Sequence, residues 1–151
     1  MQAHSESSTE VLKEEHEVIE RMLKILSVAC EKLEKNQEVS PEIFKKAIDF
    51  IRNFADSCHH GKEETALFTL IEQRGIPRQG PTGVMRIEHE QGRRFVKALA
   101  EAVERYEKGD GKAKAGIVEN ARDCTGLLAQ HISKENYILY PLADRALTAS
   151  D

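Results

Sequence analysis

Apolar residues recur at steps of three and four along four stretches of the chain, the spacing that places them on one face of a helix. The first stripe reads Leu12, His16, Ile19, Leu23, Leu26, Cys30, Leu33, and the second Phe44, Ile48, Ile51, Ala55, His59, Glu63, Ala66, Leu70. The third reads Met85, His89, Gly92, Val96, Leu99, Val103, Tyr106, and the fourth Ile117, Ala121, Cys124, Leu128, His131, Glu135, Ile138, Leu142. Turn-forming residues separate them: Lys35-Asn36-Gln37 ahead of Ser40-Pro41, then Gly75 to Gly83 with two prolines, then Gly109-Asp110-Gly111. Ser40-Pro41-Glu42 reads as a helix start, with a capping hydroxyl, a proline where no N–H is needed and an early negative charge. The second helix is predicted to run from there to about Arg74. Each helix has one face to bury and the connections are short, which predicts an all-α, antiparallel up-down four-helix bundle. At 151 residues the chain is read as a single domain, 1–151, able to bury its own core, with residues 1–8 flexible.

Each stripe is interrupted by one histidine, and the second and fourth also carry a glutamate. The heights of these residues match. Residue 38, in the middle of the first connection, lies 22 residues after His16 and 21 before His59, so the two are level in an antiparallel hairpin. Asp110 lies 21 residues after His89 and 21 before His131, and if the hairpins pack in register all four imidazoles converge. Glu63 and Glu135 each follow a histidine by four residues, one turn along the same face. With no Lys or Arg on the stripes, burying these groups is tolerable only around something positive, and bound metal is the simplest compensation. Imidazole with carboxylate suits iron or manganese, carboxylates can bridge two ions, and six ligands for two metals leave positions open, unlike a closed structural zinc site.

The chain also repeats internally. Glu15-His16-Glu17 recurs as Glu88-His89-Glu90, and HxxKExxxLF from His59 to Phe68 recurs as HxxKExxxLY from His131 to Tyr140, so two hairpins supply two half-sites. The repeat selects His59 over its neighbour: His59 follows Ile51 and Ala55, whereas His60 shares its face with Asn53 and Asp56. His60 and Glu64 are expected to support the site from outside or to face solvent. Glu20 is expected at the rim, Arg93 to steer anions or pair with Glu90, and His4 to have no role.

Composition narrows the function. Formal net charge is -4 and no Lys/Arg block with interleaved aromatics occurs, so nucleic acid is not an expected partner. The first ten residues are polar and acidic rather than signal-like and no apolar run reaches membrane-spanning length, which points to the cytoplasm. Cys30, Cys58 and Cys124 lack CxxC spacing and read as reduced, buried thiols.

At the residues just described the chain resembles the hemerythrin-like (HHE cation-binding) domain family. The likeness runs from His16 through HHGKEE at His59, EHE around His89 and HISKEN at His131, nearly the whole length. It implies a non-haem di-iron centre, two iron ions bridged by both carboxylates and an oxo or hydroxo group, with manganese as the alternative ion. The implied ligands are His16, His59, Glu63, His89, His131 and Glu135. Oxygen carriers of the family have a further histidine where this chain has Arg93, and end with HxxxxD where this chain has HxxxE. The set looks more like the branch that includes bacterial proteins of iron-centre repair and nitric oxide stress, whose N-terminal cysteine-bearing domain has no counterpart here. The resulting expectation is a protein that binds or reacts with dioxygen, nitric oxide or peroxide. The alternatives are a di-iron oxidoreductase of peroxidase or nitric oxide reductase type, fed by an electron-donor protein through Tyr137, Tyr140 or a cysteine, and an iron or oxygen sensor acting through a partner. Iron storage is disfavoured because ferritin-like bundles use ExxH where this chain uses HxxxE.

Overall fold

The computed structural model describes residues 8–147. The expected flexible start lies outside them, His4 included, except for Ser8, which opens the first helix. Helix α1 (Ser8–Glu34) is followed by a second helical arm. That arm comprises α2 (Pro41–Phe50), two segments of π winding (Ile51–His60 and Glu63–Leu67) and α3 (Phe68–Gln73). Helix α4 (Pro81–Glu107) comes next, and the last arm joins α5 (Ala113–Lys134), a third π segment (Glu135–Leu139) and α6 (Tyr140–Ala146). No strand occurs among the described residues, and the four helical arms form the antiparallel bundle that the stripes predict.

Local chemistry sets the boundaries. Ser40 holds an extended conformation (ψ 133°), its Oγ accepts from the Glu42 N–H at 3.3 Å, and Pro41 takes the first helical position. Three helix ends close alike, through paired backbone bonds around a residue of positive φ: Asn36 (56°), Gly75 (96°) and Gly109 (94°). At Gly109, for example, its own N–H bonds to the Tyr106 carbonyl and the Asp110 N–H reaches back to Arg105.

Two apolar clusters fill the bundle. The larger, with Leu26, Phe44, Leu99, Ile117 and Cys124, lies toward the two hairpin turns; the smaller gathers Leu12, Leu67, Phe68, Ile71, Met85, Leu139, Tyr140 and Ala143. A layer of buried histidines and glutamates occupies the register between them on every arm. Beyond that layer the second and fourth stripes depart from expectation. Ala66 is exposed and Leu70 half-buried, while Leu67, Phe68 and Ile71 are buried; Ile138 is exposed and Leu142 half-buried, while Leu139, Tyr140 and Ala143 are buried. The π segments begin at Glu63 and Glu135 and hold more residues per turn than an α-helix, so the inward face slips by one residue. Both halves of the repeat slip identically.

Candidate metal centre

The four stripe histidines and two glutamates come together at one depth, each at most 1% exposed. Helices α1 and α4 each contribute one histidine, and the two π-containing arms each contribute a histidine with a glutamate one turn on. Two groups emerge in which each residue offers a ligand atom within 4.8 Å of the others: His16, His59, Glu63 and Glu135, and His60, Glu63, His89 and His131. Glu63 belongs to both. Its Oε1 lies 3.1 Å from His59 Nε2 and 3.8 Å from His89 Nε2, while Glu135 Oε1 lies 3.2 Å from His16 Nε2 and 3.0 Å from His131 Nε2. Each carboxylate therefore stands between a histidine of one hairpin and a histidine of the other.

The placement of His60 corrects the sequence expectation. It is buried, 6% exposed, and stacks on His89 with ring centroids 3.8 Å apart, instead of facing solvent. The face assignment presumed α winding through residue 60, whereas Ile51–His60 is π-wound. Consecutive residues then diverge by less than the angle set by about 3.6 residues per turn, and His59 and His60 both turn inward. Glu64 does support the site from outside, and Glu20 is exposed.

Behind the histidines lies a second layer that explains the repeat. His59 Nδ1 donates to Glu15 at 3.0 Å, and Glu15 accepts from Lys62 at 2.8 Å; His131 Nδ1 donates to Glu88 at 3.3 Å, and Glu88 accepts from Lys134 at 2.6 Å. The glutamate of each EH pair thus serves the histidine of the facing arm, not its neighbour. His89 Nδ1 donates to Glu64 at 2.8 Å and His16 Nδ1 to Asn136 Oδ1 at 2.8 Å, two equivalent positions of the repeat. Such bonds fix the ring orientation and leave Nε2 as the free ligand atom. Arg93 does pair with Glu90, at 3.2 Å, but it also grips Asp56 at 2.9 Å and Glu64 at 3.2 Å.

Burial, reinforced by neighbouring imidazoles, lowers the His16 pKa to about 4, and it lowers those of His89 and His131 further still. These rings are neutral near neutral pH, the form a metal requires. Burial also opposes charge on His59, but the carboxylates of Glu63 and Glu15 outweigh it and raise that pKa. For Glu15 burial is likewise outweighed, here by Lys62 and His59, and its carboxyl is held below the usual value. Tyr140, fully buried, donates to Glu63 Oε2 at 3.2 Å and lies 3.1 Å from His16 Nε2; burial, then Glu63, raises its pKa and keeps the phenol protonated. Tyr137 is 80% exposed. Cys30 and Cys124 are buried as expected, and burial pushes their thiols up to about 11 and 12, but Cys58 is exposed.

Among the described residues, four buried side-chain atoms lack a hydrogen-bond partner: His59 Nε2, His60 Nδ1, Glu63 Oε1 and Glu135 Oε2. The 3.1 Å approach of His59 to Glu63 lacks hydrogen-bond directionality. Each such group costs about 1–3 kcal/mol if uncompensated, and all four belong to the two metal-sized groups. Cations seated there would take up the lone pairs of His59 Nε2, Glu63 Oε1 and Glu135 Oε2, so the donor set fits bound metal. A cavity of about 130 Å³, lined largely by Ile51, Gly92, Val96 and Leu128, reaches His60 and His89, with Arg52, Asp56 and Arg93 around it.

A model of the hemerythrin HHE cation-binding domain matches residues 7–143. The chain belongs to this family. Uncharacterized proteins of Mycobacterium bovis and Mycobacterium tuberculosis are 22% identical over 143 residues, covering 95% of the chain. The match covers 56% of their length, so the chain spans about half of the curated relatives it matches. No helix among the described residues is long and apolar enough to cross a membrane.

Proposed function

We propose that this hemerythrin-family chain holds two iron ions, with manganese as the alternative, in a carboxylate-bridged pair that binds or reacts with dioxygen, nitric oxide or peroxide. The observation that carries this reading is the sharing of Glu63 by two groups of metal-sized spacing, with Glu135 likewise between histidines of both hairpins. Nitrogen and oxygen donors without thiolate suit iron or manganese at these positions. His16, His59, His89 and His131 supply neutral imidazoles, and the two glutamates offset the charge of the ions. When bound, such a pair supplies Lewis acidity and one-electron redox steps at adjacent positions. The chain's own residues do the rest. Glu15, Glu64, Glu88 and Asn136 hold the rings, the apolar clusters exclude water, and the Tyr140 hydroxyl holds a proton next to Glu63. The cavity has room for a molecule of a few atoms, since one water takes about 30 Å³ of liquid.

A second reading, turnover as a small oxidoreductase with an electron-donor protein, draws on the buried, protonated Tyr140 beside the site. We place either activity in the cytoplasm, in a response to oxidative or nitrosative stress, within a single domain. Metal analysis and an optical spectrum of protein purified in air test the centre. About two irons per chain with near-ultraviolet charge-transfer absorption is the expected result, and a metal-free yet stably folded protein would overturn it. Stoichiometric uptake of dioxygen or nitric oxide by the reduced protein, against sustained consumption with an electron donor, then separates the two readings.

A further inference from the structure

We infer that His60 is a seventh metal ligand, a third imidazole for the ion held by His89 and His131, so that the two metal positions are unlike. The inference rests on the metal pair proposed above. Its ground is that His60 shares the burial and the ligand spacing of the other histidines. It is buried, and it offers a ligand atom within 4.8 Å of those of Glu63, His89 and His131. Its ring stacks on His89 and meets His131 edge-on, with centroids 3.8 and 5.7 Å away.

A chain of support stands behind it. Lys62 and Glu15 back His59, and Lys134 and Glu88 back His131. In the same order Arg93 grips both oxygens of Asp56, at 2.9 and 3.0 Å, and Asp56 lies 3.5 Å from His60 Nδ1, in ion-pair range but without a hydrogen bond.

The internal repeat supplies a control. Aligning His59 with His131 places Ile132 opposite His60, Leu128 opposite Asp56 and Glu20 opposite Arg93. Ile132 is buried at 3% exposure, so this position of the fold accepts a plain apolar side chain. Where one hairpin has the apolar pair Ile132 and Leu128, the other has an imidazole and a carboxylate, with Arg93 in place of Glu20, as a ligand with its supports requires and a packing residue does not. One ion is then served by His16 and His59 and the other by His60, His89 and His131, with both glutamates between them. The first then has fewer imidazoles than the second. His60 also lines the 130 Å³ cavity, beside His89.

Cobalt(II) is the probe. The wild-type chain is expected to take up two cobalt ions, and His60→Ile, which copies Ile132, to lose one of them at least tenfold faster to a chelator, with unchanged helical circular dichroism. His60→Cys gives a positive signature that does not rely on loss: a thiolate-to-cobalt absorption band in the near ultraviolet, absent from the wild type. Two cobalt ions in wild type with His60→Ile equally retentive, or with no new band in His60→Cys, would overturn the assignment of His60 while leaving the metal pair intact. Fewer than two ions in the wild type would overturn the pair, and His60 with it. If His60→Ile fails to fold, the His60→Cys band decides.

Discussion

Acidifying the metal-free protein from about pH 7.5 to about pH 5 is expected to strip most of its stability, and the centre itself is the cause. His16, His89 and His131 are buried with pKa values below the 6.5 of a free imidazole, in the case of His16 about 4. Below pH 6.5 the unfolded chain therefore takes up protons that the folded chain refuses. The unfolded state binds more protons, so stability rises with pH across this window and falls on acidification. One pKa unit is worth about 1.4 kcal/mol, so at about pH 5 each of the three rings costs roughly 2 kcal/mol. His59 works in the opposite sense: its raised pKa contributes stability that is present below 6.5 and lost as pH rises through the folded value. The three rings together lose about 6 kcal/mol, comparable with the whole stability of a small domain, and His59 returns part of it. Urea titrations of chelator-treated protein at the two pH values read this directly, as a fall in the denaturation midpoint. The metal-loaded protein, whose imidazoles are held neutral by coordination, is expected to keep its midpoint until protons displace the ions. An equal midpoint for the metal-free protein at both pH values would refute the reasoning.

Glu88→Gln removes the charge that links Lys134 to the His131 ring, and a roughly 10- to 100-fold weaker hold on metal is expected in chelator competition, with the fold intact. Tyr140→Phe deprives Glu63 Oε2 of its donor in the buried layer, and the metal-free variant is expected to be less stable by about 1–3 kcal/mol on chemical denaturation; an unchanged midpoint would mean the hydroxyl bond contributes nothing.

The periodicity of apolar residues determined four helical arms and their order, because a bundle helix must bury one stripe whatever its partners are. Equal arm lengths about residue 38 and Asp110 likewise set His16, His59, His89 and His131 level, since rise per residue is a property of the backbone alone. The caps at Ser40 and the turn at Gly109 were equally local and equally legible. Three features were decided only in the folded bundle. The π winding from Ile51 and again from Glu63 and Glu135 shifts which residues face inward, which brought His60 into the centre and buried Leu67 and Leu139 in place of Ala66 and Ile138. A π turn has little local preference and appears where tertiary contacts favour the altered facing, so no 3.6-residue pattern announces it. The pairing of Glu15 with His59 and of Glu88 with His131 crosses from one helix to another, and the EH doublet alone suggested only neighbours in sequence. The lowered pKa values of the buried imidazoles arise last of all, because they depend on the removal of water from every side at once.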